Sequence, residues 1–369
     1  MSPTVPPQGR VLLVSSNGAG MGHLTRLMAM ARRRSPGVDV SFASMSSAVP
    51  VVGGEGFRWE YIPSRDDLGI GPRRWNLQLR DRLGDVLDRL RPDVLVFDGT
   101  FPYDAVLDAR RQRRDLRLVW SRRGMWLAGK GRVQLSRARR FDLIIEPGDL
   151  AAEADPGLTR GRGDAVPVGP ITLLDPAEQV SREEAAAALG VDPTRPTALV
   201  TFGGGAIDDR DSAVGLVLNR LLADPDLQVL LTRPMISAQV DAFGGRVRSV
   251  ALYPLARYLR AVDLAVSAAG YNTFHEFLQS GVPTAFVAKP RQLDDQGARA
   301  AWAAREGAAV HLRRTDADGV AEALDVLLDA GARAALRRRC AEIAQPNGAA
   351  AAMAAVEGLL PSAATGGSR

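Results

Sequence analysis

The chain alternates short apolar stretches with helix-like stretches, and it does so in two long series. The apolar stretches include 11–15 and 93–97 in the first series and 197–202 and 264–268 in the second. Such alternation predicts parallel strands joined by helices that cover both faces of a sheet. Between the series lies a stretch rich in Ala, Gly, Asp and Pro. The sequence therefore predicts an α/β protein with two doubly wound, Rossmann-like parallel-sheet domains.

The interruption sets the predicted domain boundary. We predict an N-terminal domain over residues 1–172 and a C-terminal domain over 173–360, whose last helix is expected to pack back on the first domain. Residues 361–369 are predicted to be a disordered tail. A length of 369 residues suits two domains of ordinary size. In a pair of doubly wound domains, the ligand is expected in the cleft between the carboxyl ends of their strands.

Composition narrows the class of protein. Apolar residues make up 46% and charged residues 24% of the chain, which is typical of a globular protein with a sizeable core. The sequence contains no apolar run of membrane-spanning length and no apolar region like that of a signal peptide, so we expect a cytoplasmic protein. The single cysteine, Cys340, agrees with a reducing compartment. A net charge of +5 is too modest to predict a nucleic-acid partner.

A glycine-rich loop over residues 15–23 joins the first predicted strand to the first predicted helix. Glycines there let backbone N–H groups approach a ligand at the helix start. The spacing is G-x-G-x-G rather than G-x-G-x-x-G, and no acidic residue ends the second strand, so NAD binding is disfavoured. His23 ends the loop, where a general base would be placed; a capping or surface histidine is the alternative interpretation.

A second glycine loop follows the predicted strand 197–202. Gly203, Gly204 and Gly205 can cradle a diphosphate through N–H groups and the dipole of the following helix. A plain tight turn is the alternative. The absence of a G-K-[ST] sequence excludes a Walker-type ATP-binding loop.

The most informative segment is a strand, a glycine turn and a helix start within residues 264–296. Asn and Thr at a helix start are ordinary caps. Yet Gly270, Asn272 and Thr273 can also present N–H and hydroxyl groups to a phosphate. Glu276 lies about one turn further on, where its carboxylate can accept hydrogen bonds from both hydroxyls of a ribose.

This segment resembles the donor-site signature of GT-B glycosyltransferases, namely the family that makes the lipid-linked peptidoglycan precursor and the UDP-glycosyltransferases of natural products. Those families carry a glycine turn, small polar residues, a ribose-binding glutamate, a G-x-P and a terminal acid–glutamine pair. The matching positions are Gly270, Asn272, Thr273, Glu276, Gly281, Pro283, Asp295 and Gln296. The resemblance implies that Asp295 and Gln296 contact the donor sugar.

The first glycine loop is similar to the acceptor loop of the same families, whose histidine is the proposed base. The resemblance implies an acceptor loop formed by Gly20, Met21 and Gly22. It also implies that His23 is the base and that Asp98, which follows a mid-domain strand, orients it. The chain departs from the pattern at Met21, where a glycine is common, and at Ala268, where the natural-product branch often has a phosphate-binding histidine.

Together these matches imply a glycosyltransferase of the hexosyltransferase type. It would bind a UDP- or dTDP-sugar in the C-terminal domain and a small-molecule, natural-product or lipid-linked hydroxyl acceptor in the N-terminal domain. The implied mechanism is inverting and uses no metal or other cofactor, and the Asp316–Asp318 pair is interpreted as a helix cap. A nucleotide-sugar hydrolase or epimerase on the same fold, or a non-catalytic sugar-nucleotide-binding subunit, is the alternative.

A basic and partly apolar stretch occupies residues 122–140. A solvated helix face is the interpretation we favour in such an arginine-rich protein. The alternatives are a site for an anionic acceptor, or peripheral docking on the inner face of a membrane with Trp126 inserted.

Overall fold

The computed structural model describes residues 8–16, 20–202, 211–232 and 245–361. Three stretches with sequence predictions lie outside the described residues. They are residues 17–19 of the first glycine loop, the loop Gly203, Gly204 and Gly205, and residues 362–369 of the predicted tail.

The N-terminal half forms a parallel sheet of seven described strands. These are β1 (Gly9–Ser15), β2 (Val38–Ser44), β3 (Arg58–Tyr61), β4 (Val94–Asp98), β5 (Arg117–Ser121), β6 (Leu143–Pro147) and β7 (Val166–Val168), in the order β3-β2-β1-β4-β5-β6-β7. The accompanying helices are α1 (Gly22–Arg32), α2 (Val51–Gly54), α3 (Arg65–Leu68), α4 (Pro72–Leu90), α5 (Asp104–Gln112) and α6 (Arg132–Ser136). The residues of β4 are all buried, as expected for an interior strand covered on both faces.

The C-terminal half forms a second parallel sheet of six described strands. These are β8 (Thr197–Thr201), β9 (Gln228–Thr232), β10 (Val247–Val250), β11 (Leu264–Ala268), β12 (Thr284–Val287) and β13 (Val310–His311), in the order β10-β9-β8-β11-β12-β13. Its helices are α7 (Arg182–Leu189), α8 (Asp211–Leu222), α9 (Tyr271–Gln279), α10 (Gln296–Arg305), α11 (Ala317–Leu328) and α12 (Ala330–Ile343). The prediction of two parallel α/β sheets is therefore confirmed.

The strand order reverses once in each sheet, beside β1 and beside β8. In the first sheet Ser15 pairs with Asp98, so the carboxyl ends of β1 and β4 lie side by side. In the second, Thr201 pairs with Ser267, which aligns the ends of β8 and β11. Loops at such reversals diverge and leave a crevice, which is where ligands bind in open α/β sheets.

The last described helix, α13 (Ala349–Glu357), returns to the N-terminal half and packs on α1, β6 and β7. Two glycines allow this approach: a Cβ on Gly348 would lie only 2.1 Å from the carbonyl oxygen of Gly169. Met353 and Val356 of α13 are fully buried in a cluster that includes side chains from both halves. None of the helices in the described ranges is long and apolar enough to cross a bilayer.

Candidate functional site

A cleft of about 780 Å³ lies between the two sheets. Its N-terminal wall includes the start of α1, with Gly20, Met21, Gly22 and His23. Its C-terminal wall includes the start of α9 and residues 291–294 and 296. The predicted acceptor loop and most of the predicted donor residues therefore line one cleft, from opposite sides.

His23 and Asp98 are in direct contact at the N-terminal wall. His23 is the second residue of α1, and Asp98 is the last residue of β4. The His23 Nδ1 and Asp98 Oδ1 atoms are 2.6 Å apart, although 75 residues separate them in the chain. Asp98 is fully buried, whereas the His23 side chain keeps 19% of its surface exposed. The alignment of β1 with β4 produces this contact, because α1 starts just beyond the end of β1.

Two further side chains hold the Asp98 carboxylate. Arg26 donates from Nη2 to Oδ1 at 2.5 Å and from Nε to Oδ2 at 3.1 Å. Ser121, at the end of β5, donates to Oδ2 at 2.8 Å. Burial by itself raises the pKa of this carboxyl, but the Arg26 charge and then the His23 hydrogen bond hold that pKa well below its usual range. Asp98 is therefore ionised.

The ionised Asp98 fixes the tautomer of His23. A carboxylate can only accept, so the Nδ1–H of His23 donates to Asp98 and the neutral ring carries its lone pair on Nε2. No described residue hydrogen-bonds to Nε2. Burial is the largest influence on the pKa of His23 and lowers it; Asp98 raises it, while Arg26 and Arg123 lower it. The net pKa is below the ordinary value, so the imidazole is neutral and able to accept a proton at pH 7.

The start of α9 forms the opposite wall. Its N-cap residue is Gly270, and no described side chain caps the helix, so its first N–H groups stay available to an anion. Among the described residues, a Cβ on Gly270 would meet only the Gln296 amide, at 3.9 Å. Packing by these residues therefore does not require a glycine at this position. Thr273 also lines the cleft.

Glu276 lies one turn further along α9 and also lines the cleft. Its carboxylate is half-buried and has no hydrogen-bond partner among the described residues. Burial raises the pKa of Glu276 to about 7. A carboxyl group that is desolvated and unpaired destabilises the fold, which is typical of a residue kept for binding.

This cost predicts a pH-dependent stability for Glu276→Gln. The folded-state pKa of Glu276, about 7, exceeds the unfolded value, so folded protein binds more protons between the two and stability falls as pH rises through that window. Glutamine carries no charge, so the variant should be more stable than wild type at pH 8, by up to about 3 kcal/mol. The difference should vanish below pH 4. Urea denaturation at both pH values measures it.

The matched control for that experiment is Glu322→Gln, on α11, where the side chain is 81% exposed. Its stability relative to wild type should change little between the two pH values, because an exposed carboxyl has a similar environment in the folded and unfolded states. An equal stability difference for Glu276→Gln at pH 4 and pH 8 would show that the Glu276 carboxyl titrates normally.

Asn272, predicted as a phosphate contact, bridges the two halves of the protein. Its Nδ2 donates to the carbonyl of Gly22 at 3.2 Å, and its Oδ1 accepts from Arg26 at 3.4 Å. The side chain therefore ties the start of α9 to the start of α1, and leaves its backbone N–H and the second Nδ2 hydrogen as donors without a described partner.

Of the two predicted sugar contacts, Asp295 and Gln296, only Gln296 is among the described residues that line the cleft. Asp295 caps α10 by accepting from a backbone N–H at 2.9 Å and is not among the described residues that line the cleft. Its neighbour Asp294 does line the cleft, beside Gln296. Asp294 binds Arg123 at 2.6 Å and Arg299 at 3.0 Å, and these charges, Arg123 first, lower its pKa to about 2 against the effect of burial. The sequence prediction named Asp295 rather than its neighbour Asp294 as the acidic residue of the cleft. It also did not pair Arg123 with Asp294.

The basic stretch 122–140 includes side chains that are buried in the protein rather than exposed to solvent. Trp126 is only 1% exposed and packs in a core cluster, so the alternative in which its side chain inserts into a membrane is wrong. The flanking backbone pairs across the cleft, with Leu127 donating to the carbonyl of Leu293 at 2.7 Å. Arg122 is 1% exposed and binds Glu146 and Asp164, so it does not belong to a solvated face either. Exposed cations, including Lys130 and Arg132, remain in this stretch.

Asp316 caps α11 through a hydrogen bond from the Gly319 N–H at 2.8 Å, as the sequence predicted. Across the described part of the chain, no cluster of three or more His, Cys, Asp or Glu side chains is arranged to hold a metal ion.

Comparison with known proteins agrees with this architecture. The model of the glycosyltransferase family 28 C-terminal domain matches residues 238–353. The UDP-N-acetylglucosamine–N-acetylmuramyl-(pentapeptide) pyrophosphoryl-undecaprenol N-acetylglucosamine transferase of Nocardioides sp. is 30% identical over 301 residues, which cover 76% of this chain and 78% of the relative. The transferase of the same name from Cutibacterium acnes is 28% identical over 331 residues, which cover 84% of this chain and 86% of that protein.

Solved structures share the fold at lower identity. The spinosyn forosaminyltransferase SpnP gives a TM-score of 0.65 at 20% identity and covers 95% of this chain and 99% of its own. The calicheamicin glycosyltransferase CalG4 gives a TM-score of 0.63 at 18% identity, and the match covers 97% of this chain and 99% of CalG4. Two Rossmann-like sheets that face each other across a cleft are the GT-B architecture, which these solved structures share. Among proteins of that architecture, the chain belongs to glycosyltransferase family 28, together with the Nocardioides and Cutibacterium transferases.

Proposed function

We propose that this enzyme is an inverting, metal-independent glycosyltransferase that moves a sugar from a nucleoside diphosphate to an acceptor hydroxyl. One observation carries the proposal: His23, whose Nε2 has no hydrogen-bond partner among the described residues, and the uncapped start of α9 line the same cleft from opposite walls. A general base and an anion site so arranged suit a reaction that removes a proton from one substrate and releases a phosphate from the other.

The donor would bind along α9. Backbone N–H groups at the helix start would hold the diphosphate, and Glu276 would accept hydrogen bonds from the ribose hydroxyls. Gln296, and Asp294 or Asp295, would meet the sugar. The relatives' names specify UDP-N-acetylglucosamine, which supports a UDP-sugar; dTDP-sugars are the second class to test.

The acceptor would enter from the N-terminal wall, where Thr100, Phe101 and Lys130 line the cleft. We propose a small-molecule, natural-product or lipid-linked alcohol. His23 Nε2 would remove the hydroxyl proton as the oxygen attacks the anomeric carbon from the face opposite the diphosphate. The bond from that carbon to the phosphate oxygen would break, and the nucleoside diphosphate would leave with the electron pair. Asp98 would stabilise the imidazolium.

Thermal-shift measurements against UDP, dTDP, GDP and ADP test the donor assignment. A ligand that binds only folded protein at 100 times its Kd adds about 2.7 kcal/mol of stability. UDP or dTDP should raise Tm, and their sugar conjugates should be consumed only when an acceptor alcohol is present. Consumption without an acceptor would favour the hydrolase or epimerase instead. Binding without turnover of any sugar conjugate would favour the non-catalytic subunit.

Metal independence is a separate prediction. Turnover should persist in 10 mM EDTA, because helix-start N–H groups would stabilise the leaving diphosphate in place of a cation. The measurement is the initial rate with and without chelator, after dialysis. Complete loss of turnover that Mg²⁺ or Mn²⁺ restores would contradict the mechanism and return attention to Asp316 and Asp318.

A further inference from the structure

Resting on the proposed function, we propose that Arg26 is a positioning residue for the transfer reaction. It clamps the Asp98 carboxylate against His23 and connects this pair to the donor helix α9. Arg26 touches neither reacting atom in this scheme; it acts through Asp98 and Asn272.

The clamp has the geometry that only arginine provides. Arg26 is 3% exposed, and its Nε and Nη2 atoms bind the two oxygens of Asp98. A planar guanidinium matches a carboxylate in this two-point manner, which fixes the carboxylate plane as well as its position. Because Oδ1 of Asp98 also accepts from His23, the plane of the carboxylate determines where the imidazole points. A lysine ammonium would keep the charge without fixing that plane.

The same guanidinium opposes protonation of the base. Its Nη2 lies 2.8 Å from Nδ1 of His23. Three charged side chains act on the His23 ring: Asp98 from β4, Arg26 from α1 itself, and Arg123 from the segment after β5. From α9, the neutral Asn272 and Tyr271 and the titratable Glu276 line the same cleft as His23. Burial lowers the pKa of His23 most, Asp98 raises that pKa, and the charges of the two arginines lower it again, so His23 remains an unprotonated base at neutral pH.

The third nitrogen of Arg26 reaches the donor side. Nη1 donates to Asn272 Oδ1 at 3.4 Å, and the guanidinium lies 5.1 Å from the centroid of the Tyr271 ring. Both partners belong to the first turn of α9, whose N–H groups face the proposed diphosphate site. A cation beside an aromatic face adds to this attachment. Arg26 therefore binds the proposed base pair and the proposed donor site with one rigid group.

His23 can be observed directly, because the chain has three histidines. In protein labelled with ¹³C-histidine, the variants His23→Gln and His311→Gln assign the ring signals, which are then followed against pH. We expect Arg26→Gln to raise the pKa of His23, because the nearby positive charge that lowers it is removed. The acidic limb of the kcat profile should move upward by the same amount. Arg26→Lys should leave the His23 pKa closer to wild type yet lower kcat, with KM for the donor little changed.

Arg32→Leu is the matched control, since it removes a positive charge from the same helix at a partly exposed position. It should leave the His23 titration unchanged. Loss of Arg26 leaves a buried carboxylate with less compensation and can impair folding. The double variant Arg26→Leu/Asp98→Asn therefore removes both charges together. In that variant the His23 signal should titrate without the charge of either residue.

An unchanged His23 titration in Arg26→Gln, together with wild-type turnover in Arg26→Lys, would overturn the proposal. That result leaves the proposed function intact if His23→Ala still abolishes turnover. Wild-type turnover in His23→Ala would instead remove the base from the mechanism, whatever the Arg26 variants do. The two failures are thus distinguishable.

Discussion

Replacing His23 by alanine should lower kcat by about 10²–10⁴-fold while the affinity for the nucleoside diphosphate hardly changes. His23 lines the cleft, its Nε2 has no described partner, and Asp98 holds its Nδ1 at 2.6 Å. Without the imidazole, the acceptor hydroxyl must lose its proton to water as it attacks. Donor contacts arise on the other wall, from α9, and should survive. Steady-state kinetics and calorimetric titration of the nucleoside diphosphate measure the two quantities.

The control for this experiment is His311→Ala, at β13, which removes a histidine that does not line the cleft. Its kcat should equal that of wild type. Asp98→Asn should lower kcat less than His23→Ala if Asp98 only orients the ring, and the double variant should be little worse than His23→Ala alone. Wild-type kcat in His23→Ala would remove this residue from the mechanism. Additive losses would give Asp98 a separate role, with the acceptor as its nearest candidate partner.

The fold could be predicted because strand and helix periods are local properties of the sequence. Buried parallel strands such as β1 and β4 must be apolar along their whole length, and the intervening helices must cover them. The proximity of His23 and Asp98 also follows from topology. Both residues lie at carboxyl ends of strands or just beyond them, and in a parallel sheet those ends share one edge.

The partners of that pair depend on side-chain packing, which no local pattern encodes. Arg26 lies three residues after His23 on α1, a spacing that puts both side chains on one helix face. That signal marks them as neighbours, but the rotation of α1 over β4 decides that Arg26 points at Asp98. The choice between Asp294 and Asp295 is of the same kind, because one residue of register decides which side chain caps α10 and which faces the cleft.

Trp126 illustrates the contacts that sequence leaves open. A tryptophan within a run of arginines is compatible with a membrane interface and equally with a boundary between two domains. Here the backbone on either side of Trp126 pairs with residues 293–295, and the indole is buried by that pairing. The bridge partner of Trp126 is Asp294, which lies 168 residues further along the chain (294 − 126). Only the arrangement of the two halves reveals it.

Glu276→Ala should weaken nucleoside diphosphate binding by about ten- to a hundredfold, which corresponds to about 1.5–3 kcal/mol for hydrogen bonds to a charged group. The carboxylate lines the cleft one turn beyond the uncapped start of α9 and has no described partner to lose. Deletion therefore removes no described hydrogen bond within the protein, so a loss of affinity would report contacts to the ligand. Calorimetric titration of UDP or dTDP at pH 8 measures the loss, and kcat at saturating donor should change less than KM.

The pH dependence of binding separates this role from a general effect on the cleft. The pKa of Glu276 is about 7 in the free protein, and ribose hydroxyls donate best to the ionised form. Wild-type affinity should therefore fall between pH 8 and pH 6 more steeply than that of Glu276→Ala, with the titration of the ligand phosphate common to both. Gln279→Ala, on α9 but away from the lining of the cleft, should bind as wild type does. Equal affinity and equal pH slopes in wild type and Glu276→Ala would place the ribose elsewhere in the cleft.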